Sequence, residues 1–162
     1  MIIAVDFDGT CVTHDFPNTG IDIGAEIVID YLINNGCNII CISMRSDEHK
    51  EIVGVDTIQA VRDWFKVHGL KLYSINDNPN QNKWSKSRKI YANVYIDDQF
   101  LGCPLQVNES YSSRPFVDWY KVAIMLYNLG LISSEQIQVI LNKLKNKYPK
   151  LYMKYEYDTI LF

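Results

Sequence analysis

The sequence predicts an α/β fold: a Rossmann-like, mostly parallel sheet inside a three-layer α/β/α sandwich. Three observations carry that expectation. Short apolar runs stop abruptly at polar residues, as strands buried on both faces do. Segments with helical spacing separate the first three runs, and strands that alternate with helices pair in parallel. The chain has 162 residues, 48% hydrophobic and 22% charged, which makes one ordinary globular domain over 1–162.

The first run is Ile2-Ile3-Ala4-Val5, ended by Asp6. A turn-rich segment, 9–22, follows with Pro17, Asn18 and Gly20 as breakers. Residues 23–35 place apolar side chains at 23, 27, 28, 31, 32 and 33, a helical spacing closed by Gly36. A second strand is expected over 37–42. It stops at Ser43-Met44-Arg45-Ser46, and Ser46 or Asp47 can cap one helix running to about His68. After Gly69 comes a third strand at 70–75, then the most polar loop, 76–89. A fourth strand over 91–96 ends at Asp97-Asp98. Two amphipathic helices, 116–129 and 134–148, meet at Gly130, and Ser133 with Gln136 forms a capping-box pattern. Trp119 and Tyr127 read as core. The tail, 150–162, ends in Thr159-Ile160-Leu161-Phe162 and is expected to add an edge strand or cover the sheet.

Charge and cysteines exclude several classes. The formal net charge is −3, so an overall basic footprint for duplex nucleic acid is missing. The residues before Asp6 have no basic n-region and only a short apolar run, so a signal peptide is not expected, and no stretch approaches the ~20 apolar residues of a membrane span. Cys11, Cys37, Cys41 and Cys103 show no CxxC or Cys/His ligand spacing, so reduced, buried thiols in a cytoplasmic protein are expected.

In open parallel sheets, sites form beyond the carboxyl ends of the strands. Three polar clusters fall there: Asp6-Phe7-Asp8, Ser43-Met44-Arg45 and Asp97-Asp98. Four converging carboxylates repel one another and call for protons or a hard cation; Mg²⁺ suits oxygen ligands and phosphates. Asp6 could attack phosphorus to form an aspartyl-phosphate. Asp8, on the same side of an extended chain, could protonate the leaving alcohol. Gly9 and Thr10 permit a sharp turn and offer backbone donors to a phosphate. Arg45 reads equally as a ligand of the substrate's phosphate or base and as a surface salt bridge. His14 reads as an ordinary loop histidine. The loop around Trp84 interleaves aromatic and basic residues; a solvated connector is expected there, with a stacking face as the sharper alternative.

DFDGT at 6–10, directly after an apolar strand, resembles the first signature of the haloacid-dehalogenase (HAD) superfamily of phosphatases. ICISMR, SRKIYANVYIDD and its closing Asp97-Asp98 follow in the superfamily's order. The resemblance spans roughly 1–125 and is to small, cap-less bacterial or phage hydrolases. It implies Asp6 as nucleophile and Mg²⁺ ligand, and Asp8 as acid/base with its carbonyl on the metal. Ser43, beside Met44 and Arg45, would bind the transferring phosphoryl group, and Lys89 would neutralise it, with Lys86 as an alternative lysine. Asp98 would be the third metal ligand. Asp97 is expected to point away or sit behind it, because neighbouring strand residues face opposite sides. About a dozen residues separate Thr10 from the first helix, and 43–89 hold one helix, one strand and one loop, so there is no room for a cap domain. The chemistry lies in 1–100; 115–162 supply helices and a tail. The expected activity is Mg²⁺-dependent hydrolysis of a nucleotide or other small phosphate ester, at an open site covered only by the 9–22 flap. A polynucleotide end is a second substrate, and a catalytically silent binding module a different class of reading. Closure of the open site by a second copy of the chain is a further expectation, and a membrane partner is not expected.

Overall fold

The computed structural model describes residues 1–155, and of His49 only the backbone. Its central sheet has four parallel strands in the order β3-β2-β1-β4: β1 (Ile2–Val5), β2 (Asn38–Cys41), β3 (Leu72–Ile75) and β4 (Val94–Ile96). Ile3, Ala4 and Val5 are fully buried, as a continuous apolar run in the middle of a sheet requires. Helix α1 (Ala25–Asn34) buries Ala25, Glu26, Val28, Ile29 and Leu32, one stripe at helical spacing. The strand expected at 91–96 starts at Val94. The Tyr91 and Ala92 amides are already taken by Gln81 Oε1 and the Tyr95 hydroxyl, so neither can join a ladder.

The single helix expected from Ser46 or Asp47 to His68 is two. Helix α2 (His49–Val53) ends at Gly54, whose φ of +81° breaks the turn. Asp56 then caps α3 (Thr57–Val67), accepting from the Ile58 and Gln59 amides at 3.1 Å each. The helix expected from Phe116 begins later. Strands β5 (Leu105–Asn108) and β6 (Ser112–Val117) form an antiparallel hairpin, and Asp118 caps α4 (Trp119–Asn128). The capping box of α5 (Ser134–Lys147) is present as expected.

The layers also differ from the expectation. Ile3, Val5, Ile39, Cys41 and Ile96 share one core with side chains of α1, α3, α4 and α5. Ala4 and Ile40 point to the other face and are equally buried, yet lie outside that core. The connections through α1 and α3 step from β1 to β3, and the return from β3 to β4 runs the opposite way. With the right-handed crossovers usual for parallel strands, that return lies on the other face. That crossover, 76–93, holds no α-helix, only a 3-10 turn at Gln81–Lys83. The second helical layer of a three-layer sandwich is therefore replaced by a loop. Polar side chains hold it: buried Gln81 bonds the Ser87 and Lys89 carbonyls and the Tyr91 amide, all within 2.8 Å.

Helix α6 (Pro149–Tyr152) and a 3-10 turn at Met153–Tyr155 close the described chain. The Tyr148 hydroxyl and the Lys147 ammonium both donate to Oε1 of buried Glu26 on α1, at 2.7 and 3.0 Å. Burial and the Glu26 carboxylate push the Tyr148 phenol up. The Tyr152 hydroxyl donates to the Ile23 carbonyl. The strand or cover expected of 159–162 lies outside the described residues. Cys11, Cys37 and Cys41 are buried thiols, and Cys103 is half-buried. Among the described residues no helix is long and apolar enough to cross a membrane.

Candidate metal and phosphoryl site

The three polar clusters do meet at the carboxyl edge of the sheet. The Asp6 amide extends the β1–β4 pairing by donating to the Ile96 carbonyl at 2.9 Å, so the Asp6 carboxylate sits where the strands end. Asp6, Asp97 and Asp98 each bring an oxygen within 4.8 Å of the other two. Asp97 therefore reaches the cluster beside Asp98, against the expectation that it points away. Strand alternation fails for this pair because β4 stops at Ile96 and the two residues occupy a turn. The Asp6 carboxyl is pushed up to about 7, first by burial, then by the charges of Asp97, Asp98 and Asp8. Burial also raises Asp98, with His14 opposing.

His14 is the residue that sequence reasoning undervalued. Its Nε2–H donates to Asp98 Oδ2 at 3.1 Å. The Asp98 side chain is 9% exposed, and its other oxygen, Oδ1, is buried without a hydrogen-bond partner. A buried carboxylate oxygen without a donor is costly, and a cation would satisfy it. The donor set of three carboxylates fits a hard divalent ion. These residues could hold a metal.

Gly9 and Thr10 serve this cluster by packing. Gly9 has φ +84°, and a Cβ there would lie 2.3 Å from His14 Nε2 and 2.8 Å from Asp98 Oδ2. Its amide donates to the Val12 carbonyl, and the Thr10 amide to the Phe7 carbonyl. The Thr10 hydroxyl is fully buried and accepts from the Asp98 amide at 3.0 Å, while its carbonyl accepts from Trp119 Nε1 at 2.7 Å. The expected phosphate donors, the Gly9 and Thr10 amides, are thus engaged within 7–12, while the Thr10 hydroxyl holds the Asp98 backbone.

Ser43 ends β2 in a brace. Asn76, at φ +50°, donates to the Ser43 carbonyl at 2.7 Å and accepts from its amide at 2.8 Å. The Ser43 hydroxyl accepts from the Arg45 amide at 3.2 Å. Asn76 was not singled out from sequence; its place at the end of the third strand was the available signal. Met44 is 90% exposed beside it.

Arg45 is neither a surface ion pair nor a free phosphate ligand. Its side chain is 1% exposed. Nε and Nη2 grip both oxygens of Asp8 at 2.7 Å each, and the other donors reach the carbonyls of Pro17, Asn18 and Thr57. Its five N–H groups are all used, so none remains for a substrate phosphate. The guanidinium also stacks near Phe7 and Phe16, at 5.2 and 5.3 Å from their ring centres. Arg45 thereby ties Asp8 to the 9–22 flap and to α3. Lys89 is exposed; its ammonium lies 5.8 Å from the Tyr95 ring centre. Among the described residues neither Lys89 nor the equally exposed Lys86 pairs with a cluster carboxylate.

Comparison with family models and with curated proteins gives no match. A solved structure of a conserved protein coded by a locus of Bacteroides thetaiotaomicron is similar to this chain. It is 26% identical, with a TM-score of 0.60, over 85% of this chain and 96% of that one. The likeness supports the mixed α/β architecture with its parallel sheet.

Proposed function

We propose that the protein is a cytoplasmic, cap-less, Mg²⁺-dependent phosphomonoesterase of the haloacid-dehalogenase type, acting on a nucleotide or another small phosphate ester. The observation that carries this reading is the meeting of Asp6, Asp97 and Asp98 at the end of the central strands, with one Asp98 oxygen buried and unpartnered. Asp6, Asp97 and Asp98 would hold the ion, which when bound neutralises carboxylate and phosphate charge.

In this reading an Asp6 oxygen attacks phosphorus, the ester P–O bond breaks, and the leaving alkoxide takes a proton from Asp8. Water, giving its proton to Asp8, then cleaves the aspartyl-phosphate and releases inorganic phosphate. The Ser43 hydroxyl faces the transferring group, and Lys89 neutralises it. Asp8 can act only after its side chain leaves the Arg45 fork. Because Arg45 also holds the Pro17 and Asn18 carbonyls, movement of the 9–22 flap and release of Asp8 are one event.

The same fork favours a second reading, a catalytically silent module in which Asp8 is permanently a structural anchor. A panel of phosphate esters separates the two. Wild-type protein with Mg²⁺ is expected to release phosphate from an aryl phosphate, and Asp6→Asn to lower turnover more than about 10³-fold. Wild-type turnover in Asp6→Asn refutes the nucleophile, and inertness of the wild type towards the whole panel supports the silent module.

A further inference from the structure

The hairpin of β5 and β6 is tied to the acidic cluster at two places. The Val117 amide, at the end of β6, donates to the Gly9 carbonyl at 2.8 Å, and Gly9 is the residue packed against His14 and Asp98. The segment 99–104 leads from the Asp98 turn into β5. It is folded short by the Phe100 amide on the Asp97 carbonyl and the Cys103 amide on the Phe100 carbonyl, at 3.0 Å each. Arg114 lies on β6 three positions before Val117 and is exposed. We propose that Arg114 is a phosphate-binding residue of this site, its guanidinium receiving the phosphoryl oxygens of the ester beside Asp98. The inference deepens the phosphatase reading and rests on it for the identity of the anion.

Three observations converge. The first is local geometry. Between the pairs Gln106↔Phe116 and Asn108↔Ser112, four steps on β6 oppose two on β5, so Arg114 sits in the middle of a bulge. Bulges gather beside active sites, where they re-aim a side chain. This one is held in place: the Ser112 hydroxyl accepts from the Arg114 amide at 3.0 Å, and Pro115 has no amide to give a ladder. The second is proximity. Burial raises the Asp98 carboxyl, and the His14 charge opposes it first and the Arg114 charge after it, so the guanidinium lies within electrostatic reach of Asp98. The third is that the guanidinium is free. Among the described residues it forms no ion pair with Asp98 or any other carboxylate, and the Ser112 bond uses only its backbone amide.

The choice of ligand follows from charge. Other cations at the cluster are already engaged, Arg45 on Asp8 and three carbonyls, His14 on Asp98. Lys89 rests on the Tyr95 ring, whereas Arg114 need release no partner. A guanidinium beside carboxylates that could hold a metal opposes that metal unless an anion arrives with it. Its planar fork of donors matches two oxygens of a phosphoryl group.

Binding of inorganic phosphate tests this apart from turnover. With Mg²⁺ present, equilibrium dialysis is expected to show phosphate bound about tenfold more weakly by Arg114→Ala than by wild type, and Arg114→Lys to recover part of the loss. Mg²⁺ affinity without phosphate, read by titration calorimetry, is expected to be unchanged or tighter in Arg114→Ala, because removing a nearby positive charge favours a cation. For an aryl phosphate, kcat/KM is expected to fall about tenfold or more in the same variant. Wild-type phosphate affinity in Arg114→Ala, or no phosphate binding by the wild type with Mg²⁺, overturns the proposal. A fall in Mg²⁺ affinity alongside the phosphate affinity also overturns it, since Arg114 then holds the cluster together instead of binding the anion. If phosphate binding depends on Arg114 while no ester is hydrolysed, the anion site stands and the phosphatase reading falls. If esters are hydrolysed and Arg114→Ala binds phosphate as the wild type does, the phosphatase reading stands and Arg114 has no part in it.

Discussion

Asp98 has one oxygen on His14 and the other buried without a partner. A carboxylate held this way is oriented before any ion arrives, because the histidine fixes which oxygen faces the cluster. Replacing His14 with Ala frees the Asp98 side chain to rotate. Mg²⁺ affinity, measured by titration calorimetry, is expected to fall about tenfold or more. Unchanged affinity would reduce His14 to a packing residue. Gly9 belongs to the same geometry: any Cβ there meets both His14 and Asp98, so the glycine of DFDGT is required by the His14–Asp98 pair. Arg45 shows how far a residue's role can lie from its sequence context. An arginine after a strand reads as a surface group, yet its five donors are all consumed inside the fold.

At the scale of elements, the crossover between β3 and β4 is the unusual piece. It covers a sheet face without an α-helix, and Gln81 supplies the hydrogen bonds a helix would have made internally. Gln81→Ala leaves two carbonyls and an amide unmet, at roughly 1 kcal/mol each. Chemical denaturation is expected to show a loss of about 3 kcal/mol, with amide exchange speeding up first at Tyr91. A loss under about 0.5 kcal/mol would mean the loop is held elsewhere. The four strands and α1 were legible because a continuous apolar run and a 3.6-residue stripe are local signals. The motif clusters at the strand ends were legible for the same reason. The hairpin of β5 and β6 was not, since alternation in LQVN and SSRPFV is weak and Pro115 argues against a strand. The single helix over 46–68 failed at Gly54, where one left-handed residue outweighs a helical pattern. Asp97 joins the cluster beside Asp98 because strand alternation does not carry past Ile96 into the turn.

For the whole molecule, the acidic cluster sets a dependence on pH. The Asp6 carboxyl is raised from 3.8 to about 7 in the fold. Between those values the folded chain keeps a proton that the unfolded chain has lost, so the Asp6 contribution to stability falls as pH rises from about 4 to about 7. Asp98 shifts in the same direction. In the proposed reading Mg²⁺ would compete with that proton and bind the folded state, so its stabilising effect would grow across the same window. Thermal melts with and without about 10 mM Mg²⁺ are expected to show a larger Tm increase near pH 7.5 than near pH 5. An equal increase at both would separate the ion from Asp6.

The central claim is that Asp6 accepts the phosphoryl group. A crystal structure of the protein with Mg²⁺ and beryllium fluoride, an acyl-phosphate mimic, addresses it at the atom concerned. The account predicts beryllium bonded to an Asp6 oxygen, with the metal among Asp6, Asp97 and Asp98. Beryllium fluoride bound at another residue, with Asp6 unmodified, would contradict it.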